Sequence, residues 1–160
     1  MAILLLFLVL LQSQSHDEGV TMRGDHAMGF SHDTTTHHFR LYPSGGAIEV
    51  LANDPADTKS RDEIRMHLTH ITKMFQDGDF NVPTFIHDTT PPGAPTMSKL
   101  HTQINCVLEN TPQGAKINIT SKNKDAIDAI HEFLRFQITD RKTGDSLNVQ
   151  PSSPKIENRD

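Results

Sequence analysis

The stretch Thr36–Leu51, THHFRLYPSGGAIEVL, decides the fold. From His37 to Tyr42 the residues alternate, with Phe39 and Leu41 on one face and His38 and Arg40 on the other. Pro43-Ser44-Gly45-Gly46 is turn chemistry, and Ala47–Leu51 gives a second strand whose inner face is Ile48 and Val50. Alternation, turn, alternation predicts a β-hairpin.

Downstream, Asn53-Asp54-Pro55 breaks the strand and the period changes. Ile64, Leu68, Ile71 and Phe75 recur at helical spacing, one face of an amphipathic helix. Ser60 with Glu63 reads as its capping box, and Gly78 as its left-handed C-terminal stop. The order β-β-α then repeats. Leu100, Thr102, Ile104, Cys106 and Leu108 alternate along a long strand, Asn110–Gly114 turns, and Ala115, Ile117 and Ile119 line the next strand. Asn123 is an N-cap signal for a helix carrying Ile127, Ile130, Leu134 and Ile138. The expectation is an α+β domain over residues 34–145, a duplicated β-β-α unit with an antiparallel sheet and two helices on one face. Between the halves, Phe85-Ile86 reads as a short strand, and Pro91, Pro92, Gly93 and Pro95 as a stiff, non-helical loop.

At the ends the sequence changes character. Ala2–Leu11 is an unbroken apolar run too short to span a bilayer, followed by Ser13 and Ser15 at positions suited to signal peptidase. It reads as a signal peptide over Met1–Ser15 that leaves no stable membrane span after cleavage, so the protein is expected to be periplasmic or secreted. An uncleaved membrane anchor is the alternative. Residues 16–33 read as a flexible lead and residues 146–160 as a disordered tail.

Composition narrows the chemistry. The single cysteine, Cys106, rules out an internal disulfide and any multi-cysteine zinc site. A net charge of −5 without a basic stripe speaks against a nucleic-acid partner. G-x-S-x-G, H-E-x-x-H and Walker motifs are absent. Histidine is the unusual residue, 10 in 160. Imidazole with thioether suits a transition metal, copper first, the sulfur favouring Cu(I). On the first helix Met66, His70 and Met74 form a stripe with His67 beside it. On the first strand His37 shares the face of Phe39 and Leu41, from which it could reach His67 or His70. His87, followed by Asp88 as a candidate hydrogen-bond acceptor, ends the Phe85-Ile86 segment. The expected metal ligands are therefore His37, His67, His70, Met74 and His87, in an exported binding or sensing protein for a metal ion or small ligand. Each residue also has a plain structural reading, since methionine beside an apolar face packs and exposed histidine is often only polar. The rivals are a small enzyme using a His–carboxylate pair under the proline-rich loop, and an interaction module. The latter would use the open sheet face, which could also support an oligomer, or an exposed Phe136.

The segments MGFSHDTTTHHFRL, GGAIEVLANDPADTKSRDEIRMHL, FIHDTTPPGAP and FLRFQITDRKTGD, within Met28–Asp145, resemble a group of short exported bacterial proteins of unestablished function. Chains of this kind are sometimes labelled aspartate carbamoyltransferase. The sequence does not support that label: the catalytic chain of that enzyme is far longer and has a Ser-Thr-Arg-Thr phosphate-binding helix start that is absent here. Its regulatory chain needs a set of zinc-binding cysteines where this chain has Cys106 alone. The resemblance carries over no functional residue.

Overall fold

The computed structural model describes residues 17–151. The expected signal peptide, Met1–Ser15, lies outside them. Two hairpins make the sheet: β1 (Thr35–Tyr42) with β2 (Gly45–Ala52), and β3 (Ile104–Thr111) with β4 (Gly114–Ser121). The hairpins join through β2 and β4, which gives a four-stranded antiparallel sheet in the order β1-β2-β4-β3. The order is symmetric about the central pair.

The helices α2 (Thr58–Gln76) and α5 (Lys124–Asp140) cover one face of the sheet, α2 over β3 and β4 and α5 over β1 and β2. Each therefore lies on the hairpin that the other half of the chain supplies. Ile64, Leu68, Ile71 and Phe75 are buried as their spacing predicts. Phe75 stacks on Phe80 at 4.6 Å, and both meet Phe133 of α5 edge-on at 5.8 and 5.7 Å. Cys106 is buried among these apolar groups, and burial pushes its thiol up to about 11, an inert state at neutral pH.

The caps differ in part from expectation. Helix α2 starts before Ser60: Asp57 is the N-cap, and its side chain accepts from Ser60 N at 2.9 Å, so no Ser60–Glu63 box forms. Gly78, at φ 73°, ends α2 with Asp79 N donating to Met74 O and its own N to Phe75 O, the paired bonds of a left-handed stop. Asn123 caps α5 as expected, its side-chain oxygen accepting from Asp125 N at 2.8 Å and Ala126 N at 3.3 Å. Asn123→Ala should lower stability by about 1 kcal/mol, read as a shift in urea midpoint at unchanged slope.

Three segments correct the sequence reading. Residues 17–28 form a helix, α1, instead of a flexible lead, with Val20, Gly24 and Met28 buried at successive i+4 positions. Phe85-Ile86 belongs to a helix, α3 (Asn81–His87), not to a strand. Pro83 at its third position is tolerated because first-turn N–H groups have no helical acceptor. Part of the proline-rich loop is helical too, as α4 (Ala94–Lys99). Gly93 precedes it at φ 81°, and a Cβ there would lie 2.1 Å from the Ala129 carbonyl oxygen of α5. Strand β3 begins only at Ile104, after one helical turn over His101–Gln103.

The chain after α5 is ordered as far as it is described. Asp145 accepts from Phe39 N at 3.0 Å, Gln150 N donates to Leu41 O at 2.8 Å, and Arg135 Nε to Leu147 O at 3.0 Å. Asp145 and Gln150 thus bond to the free edge of β1 and cover two backbone groups, Phe39 N and Leu41 O, that would otherwise invite strand pairing. No helix among the described residues is long and apolar enough to cross a membrane.

Candidate functional site

A cleft of about 300 Å³ opens between α1, the start of β1 and the C-terminal end of α5. Behind it lies a chamber of about 50 Å³ under α2 and α3. Met28, His37 and Arg141 line both, and His67 and Gln137 line the chamber.

The sheet and α2 set the two histidines. His37 sits on the core face near the start of β1, where its ring stacks beside Phe30 at 6.2 Å and Phe39 at 6.4 Å. His67 precedes buried Leu68 on α2 and meets Phe30 edge-on at 5.6 Å. Burial, then the Arg141 charge, then His67 and His38 hold His37 well below the ordinary imidazole value. Burial, then Arg141 and His70 take His67 down to about 4. Both rings are neutral at physiological pH.

Helix α5 and α3 supply a second group. His87 is fully enclosed, with Nδ1 2.5 Å from Asp140 Oδ2 and Nε2 2.8 Å from Gln137 Oε1. Burial lowers its pKa, the bond to Asp140 opposes that, and Arg141 adds to the lowering. Both ring nitrogens face oxygen acceptors, so one hydrogen lies on each line and the proton between Nδ1 and Oδ2 belongs to the pair. Gln137 Oε1 also accepts from Arg141 Nε at 3.3 Å. The chain Asp140–His87–Gln137–Arg141 therefore ends on a guanidinium in the cleft wall.

Two features of that chain are unsatisfied. Burial pushes the Arg141 guanidinium down to about 10, offset by the charge of Asp140, and it forms no ion pair among the described residues. Gln137 Nε2 is buried without a hydrogen-bond partner among the described residues. A buried amide donor left unpaired costs about 1–3 kcal/mol. Beside it is a cation with most of its donors unspent.

Of the expected metal ligands, the structure brings together His37 and His67. His70 is exposed, Met74 packs partly buried against the core, and the ring nitrogens of His87 are both spent. Met28 lines the chamber instead. Among the described residues, no three His, Cys, Asp or Glu side chains form a metal-holding group. Asp88 is a left-handed cap after α3, and the acceptor for His87 is Asp140. Phe136 is half-buried, packed edge-on to His87 at 5.0 Å. His38, expected on an open face, bonds Asp145 at 3.0 Å.

Sequence reading missed Gln137, Asp140 and Arg141. One signal was present: Gln137 falls at i+7 from Ile130 and i+3 from Leu134, a polar residue on the apolar stripe of α5. No family model matches the chain, and no curated protein or solved structure matches it.

Proposed function

We propose that the protein is an exported binding or sensing protein whose cleft takes a small molecule through a carboxylate or similar oxyanion. The observation that carries this is the pair of unspent donors, Gln137 Nε2 in the chamber and the Arg141 guanidinium, which lines both chamber and cleft. A carboxylate can accept from both, and charge-assisted bonds to guanidinium are about twice as strong as neutral ones. Neutral His37 and His67 beside them add polar contacts without further charge. Apolar surface for the rest of the ligand comes from Val20 and Met28.

Copper is the second reading, because Met28, His37 and His67 line one chamber and offer thioether and imidazole together. Arg141 opposes it, since a metal ion between those rings would sit beside a buried positive charge. The His87–Asp140 pair does not favour an enzyme: the nitrogen that would serve a substrate is bonded to Gln137. The outer sheet face is largely polar, Arg40, Glu49, Lys116 and Glu109 among its residues, and Val107 is its large exposed apolar residue.

Calorimetric titration of the purified protein with propionate, inorganic phosphate and Cu(I) separates the readings. Saturable anion binding that Arg141→Gln weakens by about tenfold or more is expected. Saturable Cu(I) binding lost in Met28→Leu, without anion binding, would replace this reading by the copper one.

A further inference from the structure

Resting on that reading, we infer that the ligand is a small zwitterion, an amino-carboxylate whose carboxylate meets Arg141 and Gln137 and whose ammonium meets Asp25. The charges on the cleft walls are the reason. Helix α1 brings Asp17 and Asp25 to one wall, and the end of α5 and the residues after it bring Asp140, Arg141 and Lys142 to the other. Two of the carboxylates have strong partners across the fold: Asp17 pairs with Lys142, and Asp140 with His87. Arg141 and Asp25 are left as the opposed charges without a Lys or Arg–carboxylate pairing among the described residues.

Asp25 holds the loop after α1. Its Oδ1 accepts from His32 N at 3.0 Å, and its oxygens lie 3.2 and 3.1 Å from His32 Nδ1. His32 is shared between two carboxylates: its ring is about half exposed, and its other nitrogen is 3.1 Å from Asp33. Asp25 itself keeps a third of its side-chain surface exposed, so its carboxylate has room for another donor.

A plain anion in this cleft would be attracted by Arg141 and repelled by Asp17, Asp25 and Asp140. A cationic group at the far end of the ligand turns the Asp25 term into attraction. Three of the four cleft threonines already spend their hydroxyl hydrogen. Thr35 Oγ1 donates to Ser31 O, Thr36 Oγ1 to Asn53 Oδ1, and Thr143 Oγ1 to Asp145; Thr21 is the fourth. Charge at the two ends therefore selects the ligand, and its length must match the spacing of the two walls.

The test is calorimetry on the unmodified protein with propionate, alanine, β-alanine, 4-aminobutyrate and ethylamine. At least one amino-carboxylate should bind about tenfold or more tightly than propionate, with ethylamine not binding. In Asp25→Asn that advantage should fall towards onefold, the asparagine keeping an oxygen for His32 N. Amino-carboxylates binding no better than propionate would end this inference and leave the oxyanion reading standing. If none of the five binds, both fall. An advantage that survives Asp25→Asn overturns the assignment of the ammonium to Asp25.

Discussion

Alanine at position 87 lowers the unfolding free energy by about 3–4 kcal/mol. His87 is fully enclosed and joins Asp140 of α5 to Gln137 one turn earlier. Its removal takes a strong donor from a largely buried carboxylate and leaves a buried amide oxygen with Arg141 Nε alone at 3.3 Å, and losing one partner of a buried polar pair costs more than the bond itself was worth. The edge-on contact with Phe136 goes as well, and with it one of the contacts that hold α3 against α5. Urea midpoints at unchanged slope measure the loss. Asp140→Asn should cost less, because asparagine keeps an oxygen for Nδ1–H. A loss below about 1 kcal/mol in His87→Ala would show that the pocket collapses around the gap, in contrast to the rigid network proposed here.

The same substitution should also weaken anion binding. Gln137 Oε1 takes donors from His87 and from Arg141. Without His87 the amide is free to turn, and the direction of the guanidinium is no longer fixed. Positioning through a neighbour is separable from direct contact: His87→Ala should raise the dissociation constant for propionate by less than Arg141→Gln does.

How much of this was legible in the chain follows from how far each signal reaches. The hairpins and the two long helices could be read because their cause is local: alternation, turn residues, and apolar side chains at helical spacing. The start of α1 was not, because its buried stripe is Val20, Gly24 and Met28. A glycine and a methionine four apart carry little hydrophobic signal, and the helix depends on the surface it packs against. The first residues of the tail are a related case. Residues 146–151 carry no strand or helix period, and the bond from Gln150 N ties them to the free edge of β1 at Leu41, more than 100 positions away in the sequence; residues 152–160 lie outside the described residues. At the site, His37 and His67 could be placed on facing elements from periodicity alone. Gln137, Asp140 and Arg141 could not, because their roles are set by His87, which arrives from a helix that the sequence disguised as a strand.

Acid should destabilise the fold through its buried histidines. In the unfolded chain His67 takes up a proton near pH 6.5, whereas in the native protein it does so only at about 4. Between those values the unfolded state binds more protons, so stability is complete above pH 6.5 and falls as pH drops towards 4. Taken from pH 7.5 to 5.0, His67 alone removes about 1–2 kcal/mol, the range allowing for a partly screened ring. His37 and His87 are depressed in the same direction for the same first cause, burial, and add to that loss. Asp57 and Asp145 are held below the ordinary carboxylate value of 3.8. Their contributions are lost only at lower pH, and a comparison of urea midpoints at pH 7.5 and 5.0 isolates the histidines. His67→Gln should shrink the fall by about 1–2 kcal/mol; an undiminished fall would place the titration on another residue. The ligand gives an independent check through linkage. An anion beside Arg141 cancels part of the charge that keeps His37 and His67 neutral, so it makes their protonation easier. Saturating propionate should therefore reduce the acid loss, and the dissociation constant, counted on the ionised form of propionate alone, should be lower at pH 5.0 than at 7.5.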